Sequence, residues 1–147
     1  MRTPPVTHHF DYRGEGPSRA KAERFVREYL VRDGAAIPDA FIDGRYQASL
    51  DPEVVADPPL RRPSGPGALR TLLRMDFTRD RRLSELGTPT LVVWGTEDKV
   101  NRPSGGRTLA RTMPRCDLLS VSGVGHWVQW ERAELFNRVT SAFLDGS

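Results

Sequence analysis

Two short apolar runs with a helical pattern between them constrain this chain most. The first, Thr90–Trp94 in "GTPTLVVWG", is continuous rather than alternating, rich in branched side chains and closed by Gly95. A run of that kind between turns predicts a parallel strand covered on both faces. "RPSGGRTLARTMP" then predicts a helix from about Ser104 to Met113, and "DLLSVSG" a second strand near Leu118–Ser122. "ERAELFNRVTSAFL" closes the chain as an amphipathic helix with Leu135, Phe136, Val139 and Phe143 on one side. The order β-α-β-loop-α places this part in the α/β class, because parallel neighbours need a crossover.

The preceding residues read differently. Residues 1–17 show no period and are expected to be irregular. From Ser18, a candidate N-cap, Ala22, Phe25, Val26, Tyr29 and Leu30 recur at spacings of three and four, and Gly34 is expected to close that helix. A second helix is predicted from Pro38 to Leu50, with Phe41, Ile42 and Tyr46 on its apolar side. "DPEVVADPPLRRPSGPG" is a Pro/Gly-rich loop with at most one helical turn, at Pro52–Ala56, and a third helix is expected from about Ala68 to Phe77. These patterns divide the chain into a helical part, roughly 1–80, and an α/β part, roughly 81–147.

Charge narrows the functional classes. The net charge is +3 and only Lys21 and Lys99 are lysines, so the positive charge is almost all arginine. In "AKAERFVREYLVRD" the arginines alternate with acids, as on a solvated helix face, and no block of five like charges occurs. A nucleic-acid partner is therefore not expected. No apolar run approaches the roughly 18 residues of a membrane span, so no membrane partner is expected either. Cys116 is the single cysteine and makes no intrachain disulfide, and "MRTPPVTHHFDYRG" lacks the apolar core of a signal peptide. A soluble, cytoplasmic protein is expected. Cys116 reads as a small packing residue, and His8 and His9 as an exposed tail pair without metal-ligand spacing.

The chemistry sits at the ends of the two apolar runs. Asp98 follows the first, in "VVWGTEDKV", and His126 follows the second, in "VSGVGHWVQW". Loops at the carboxyl ends of neighbouring parallel strands converge, so residues 28 apart in the chain can meet. A carboxylate that accepts the imidazole N–H fixes its tautomer and compensates the imidazolium. Glu97, beside Asp98, is a competing carboxylate that spacing leaves open.

Here the chain resembles a known family. "LGTPTLVVWGTEDKVN" and "GVGHWVQWERAELFNRVTSAFL" look like the closing segment of the α/β-hydrolases, whose triad order is Ser…Asp…His. The second is similar to the meta-cleavage product hydrolases, which cleave a C–C bond in ring-opened aromatic or steroid catabolites. Trp127, directly after the histidine, then Val128, Gln129, Trp130, Glu131 and Phe136-Asn137 carry that likeness. "FVREYLVRDGAAIPDAFIDGRYQASLDPE" resembles the cap of the same group, in which a Gly-Arg-aromatic stretch binds the substrate carboxylate, and Arg45 in "DGRYQA" matches it. The likeness spans roughly residues 20–145, with 57–67 poorly matched.

The resemblance implies a partial α/β-hydrolase fold: a helical cap segment (1–80) and then the last two strands of the core (81–147). It implies His126 as general base and acid held by Asp98, and Arg45 with Trp127 binding a 2-hydroxy-6-oxo-dienoate. No metal or organic cofactor is implied. No Gly-x-Ser-x-Gly nucleophile pentapeptide and no oxyanion-hole segment occur in the sequence. The nearest stretch, "GPSRA" (residues 16–20), follows no predicted strand, and Pro17 suits the nucleophile turn poorly. Three expectations follow: part of a split or truncated hydrolase that a partner chain or a second copy completes, inactive alone; an inactive fragment that packs against a partner; or a small protein using the scaffold for binding. Ester or epoxide hydrolysis is the alternative chemistry.

Overall fold

The computed structural model describes residues 16–57, 65–74, 78 and 80–146; side chains 72–74 lie outside the description. Residues 1–15, with His8 and His9, residues 58–64 of the Pro/Gly-rich loop and the end of the third expected helix also lie outside the described residues.

The helical part begins with α1, Arg19–Phe25, where Ser18 Oγ accepts the Lys21 N–H at 3.2 Å, as expected of the cap. The helix then widens into a π turn at Val26–Leu30, and Val31 leaves it in extended backbone. Gly34 therefore does not close α1. It opens a short 3₁₀ turn, Gly34–Ala36, capped by Asp33. Its lack of a side chain serves a close approach instead, since a Cβ there would fall 2.5 Å from the Arg27 carbonyl oxygen. α2 spans Asp39–Ser49, α3 is the single turn Pro52–Ala56, and α4 covers Ala68–Arg74. Phe25, Val26, Leu30, Val31, Ile37 and Ile42 make one core, with Val26 and Ile42 fully buried.

Arg27 departs from the solvated-face reading. Its guanidinium donates to the carbonyls of Gly34 and Ile37 and pairs with Glu23 and Asp39. It ties α1 to the turn and to the start of α2.

A 3₁₀ turn at Arg81–Glu85, capped by Asp80, leads into the α/β part. β1 is Thr90–Gly95, α5 Ser104–Thr112, β2 Cys116–Val121, α6 Val128–Glu131 and α7 Ala133–Asp145. β1 and β2 pair in parallel, with Thr90 opposite Cys116 and Gly95 opposite Val121. β2 thus starts two residues before the expected strand and includes Cys116. Alternation assigns the faces. Trp94 and Leu118 meet the glycines of α5, while Val93, Leu119 and Val121 meet Leu135 and Phe136 of α7. The result is helix, sheet, helix, as the β-α-β pattern requires.

Two expectations need correction. The first strand is not buried on both faces: Thr90–Trp94 are half-buried and only Gly95 is buried. Among the described residues the sheet has two strands, so each keeps an edge with no strand beside it. α7 likewise contains no buried residue, and Leu144 is 68% exposed, because a two-stranded sheet is too narrow to cover it. The closing helix also starts two residues later than expected: Glu131 ends α6, and Arg132, whose φ of −138° is not helical, separates it from α7. No described helix is long and apolar enough to cross a membrane.

Candidate active site

Three backbones converge where β1 ends. A Cβ on Gly95 would lie 2.0 Å from the Gly125 carbonyl oxygen and 2.4 Å from that of Val124. A Cβ on Gly125 would lie 3.0 Å from the Arg32 nitrogen. Glycine at both positions lets the strand end, the loop after β2 and the exit of α1 touch. Gly123, at φ +69°, turns that loop. The N–H groups of Thr96 and Glu97 donate to the Val121 and Val124 carbonyls, both at 3.0 Å, which extends the strand pairing into the loops.

This convergence brings His126 to Asp98. The imidazole Nδ1 stands 2.9 Å from Asp98 Oδ2. Asp98 Oδ1 accepts the Val100 and Asn101 N–H groups, both at 2.8 Å. A carboxylate is acceptor-only, so its fit to three donors makes Nδ1 a protonated nitrogen, and in the neutral imidazole Nε2 is then the acceptor. Among the described residues Nε2 has no hydrogen-bond partner. The Asp98 side chain is 4% exposed and that of His126 30%. The carboxylate is thus screened from water, while the imidazole stays reachable.

The competing carboxylate is engaged elsewhere. Glu97 pairs with Arg32 at 3.3 Å and is half in solvent. The geometry therefore separates the two acids that spacing left open.

Arg45 and Trp127 also meet. The Arg45 guanidinium lies over the Trp127 ring, 5.6 Å from its centroid, in a cation–π arrangement. Phe41, one turn before Arg45 on α2, meets Trp127 edge-on at 5.5 Å and Trp130 at 5.4 Å. Trp127 and Val100 pack against the helical core, so residues next to His126 and Asp98 are anchored there. Ser18, the hydroxyl of "GPSRA", is the α1 cap and not a partner of His126.

Glu131 is a residue that sequence reasoning did not place at the site. Its two carboxylate oxygens accept the Gly125 and Arg32 N–H groups, both at 2.7 Å. Position gives little hint of this, since the glutamate lies five residues past the histidine and its second partner 99 residues earlier. Among the described residues no group of three or more His, Cys, Asp or Glu is placed to hold a metal ion.

A strand-end acid beside a strand-end histidine on a parallel sheet defines a class, and the sequence agrees: residues 52–133 match the alpha/beta hydrolase fold family, to which this chain belongs. A 2-hydroxy-6-oxononadienedioate/2-hydroxy-6-oxononatrienedioate hydrolase of Burkholderia vietnamiensis is 46% identical over 63 residues, 43% of this chain and 22% of that enzyme. The 2-hydroxy-6-oxo-6-phenylhexa-2,4-dienoate hydrolase of a Rhodococcus strain superposes with a TM-score of 0.76 at 18% identity, over 98% of this chain and 50% of its own. A thermophilic esterase superposes with a TM-score of 0.62 at 20% identity, over 99% and 52%. The chain thus spans about a fifth of the curated relative's length within the matched stretch, and about half of the structural neighbours.

Proposed function

We propose that this chain is the histidine- and acid-bearing portion of a hydrolase that cleaves the C–C bond of 2-hydroxy-6-oxo-dienoate ring-cleavage products. The observation that carries the proposal is the His126–Asp98 pair at 2.9 Å, with the carboxylate buried and Nε2 without a hydrogen-bond partner among the described residues. A histidine so held takes a proton from a hydroxyl nucleophile and returns it to the leaving group. Arg45 over Trp127 offers a cation on an aromatic face, suited to the carboxylate end of a planar dienoate. The names of the relatives support the substrate class.

The nucleophile is supplied by a serine outside the stretches described, on a further segment or a partner chain. A histidine–acid pair without an activated hydroxyl and oxyanion donors lacks the means of covalent catalysis. The described helices of the 1–80 part serve as a lid at the strand ends, and the described residues of 81–147 as the closing part of the core. One unpaired cysteine fits a reducing cytoplasm.

Ester hydrolysis is the second reading, favoured by the esterase neighbour and by the same acid–histidine pair. The test supplies the serine-bearing portion of a dienoate hydrolase in trans or as a fusion. Turnover is then followed on a ring-cleavage dienoate and on p-nitrophenyl acetate. Preference for the dienoate, and none for either substrate with the chain alone, is expected. Turnover of the ester alone overturns the C–C assignment, and no turnover of either leaves the chain a non-catalytic binding scaffold.

A further inference from the structure

His126 is pinned through the backbone on both sides. The residue after it, Trp127, donates its N–H to the Leu30 carbonyl at 2.9 Å. The residue before it, Gly125, donates to one oxygen of Glu131 at 2.7 Å. The other oxygen takes the Arg32 N–H at 2.7 Å. Both pins therefore end on residues 30–32, where α1 gives way to extended chain. The Leu30 pin is backbone to backbone and indifferent to side chain. The Glu131 pin depends wholly on one carboxylate.

We propose that Glu131 is a positioning residue for His126. By bridging the Gly125 and Arg32 N–H groups it holds the histidine loop against the exit of α1. It thereby sets the imidazole on Asp98 in the Nδ1–H tautomer. The inference rests on reading His126 and Asp98 as the working pair, and adds the group that keeps them aligned. Both bonds have a charged acceptor, the stronger kind of amide hydrogen bond. A glutamine is nearly isosteric but offers one carbonyl oxygen and one NH₂, so it can satisfy only one of the two donors and faces the other with hydrogens. The clamp also couples the lid to the base: a shift of residues 30–32 pulls on Gly125 through Glu131.

The test is the protonation pattern of the His126 ring nitrogens in the full ¹⁵N-labelled chain. Correlations from the non-exchanging ring protons read it without any need for activity. The wild type is expected to show protonated Nδ1 and bare Nε2, and Asp98→Asn to lose that preference. Glu131→Gln is expected to give a mixture of tautomers. Its Gly125 and Arg32 amides should exchange about tenfold faster or more, as befits loss of a bond to a charged acceptor. Gln129→Ala, on the exposed side of the same short helix, should leave the ring pattern as it was.

A Glu131→Gln chain with the wild-type ring pattern overturns the proposal while leaving the pair intact. A wild type with no Nδ1 preference, or one that Asp98→Asn does not disturb, overturns the pair and the proposal with it. Should Glu131→Gln not fold, hydrogen exchange of the wild type decides. Protected Gly125 and Arg32 amides support the clamp, and amides that exchange as freely as exposed loop ones refute it.

Discussion

Gly95→Ala should damage this protein more than any other single methyl group. The new Cβ would stand 2.0 and 2.4 Å from two carbonyl oxygens, those of Gly125 and Val124, where ordinary contact begins at about 3.4 Å. Both obstacles are backbone, so no rotamer change relieves them. The loop would have to retreat by about 1 Å or more, and it carries the Thr96 and Glu97 hydrogen bonds to Val121 and Val124, each worth about 1 kcal/mol. Overpacking adds about 1–3 kcal/mol. The expected loss is about 3–5 kcal/mol, a large share of the stability of a domain this size. Gly105→Ala is the control: its Cβ meets the edge of the Trp94 ring at 3.0 Å, and a side chain can tilt. Urea unfolding of the three chains measures both changes. A loss below about 1 kcal/mol for Gly95→Ala, or one no larger than for Gly105→Ala, would refute the convergence of strand end and histidine loop on which the site depends.

Other outcomes follow from single residues. Arg27→Ala should cost about 2 kcal/mol, because two carbonyls and two carboxylates lose a half-buried donor, whereas Arg24→Ala, which removes solvent-exposed interactions with Glu28 and Tyr29, should cost clearly less; paired thermal melts compare them. Burial, and then the charge of Asp117, push the Cys116 thiol up, so its alkylation by iodoacetamide should be slow at pH 7.5 and still rising at pH 9, followed by mass spectrometry. Hydrogen bonds from the Arg82 side chain, then from its backbone, pull the Asp80 carboxyl down to about 2. A lowered value stabilises the folded state above the ordinary carboxylate range and is lost as pH falls, so the stability gap between wild type and Asp80→Asn should close between about pH 4 and pH 2 in melts across that range.

The parallel strands were legible because composition and turns agreed. A branched run ended by glycine has few other uses, and the helix between the runs forces them parallel. The acid–histidine meeting was legible for the same reason, since strand order alone carries residue 98 to residue 126. What escaped were features with no period. The choice between Asp98 and Glu97 turns on which acid faces Arg32, from a different part of the chain. The π turn and the true role of Gly34 follow from how α1 must end to reach the histidine loop, a tertiary demand that overrides local preference. Arg27 and Glu131 look like ordinary surface charges in sequence. Their backbone partners lie 6 to 99 residues away, and nothing in residue type announces them. The half-exposed sheet was misjudged because an apolar run reports what a strand is suited to, not how many neighbours stand beside it.

We propose that His126 works as a base because Asp98, and not Glu97, holds it. The most direct test is the rate of dienoate turnover by the chain completed with a serine-bearing segment, measured for His126→Ala, Asp98→Asn and Glu97→Gln. Loss of the orienting acid costs on the order of 10⁴ in rate in the serine-protease case. Asp98→Asn should approach that scale, His126→Ala should be at least as severe, and Glu97→Gln should stay within about tenfold, since its partner is the exposed Arg32. Equal losses at the two acids, or a larger one at Glu97, would mean that Asp98 is not the acid that holds His126.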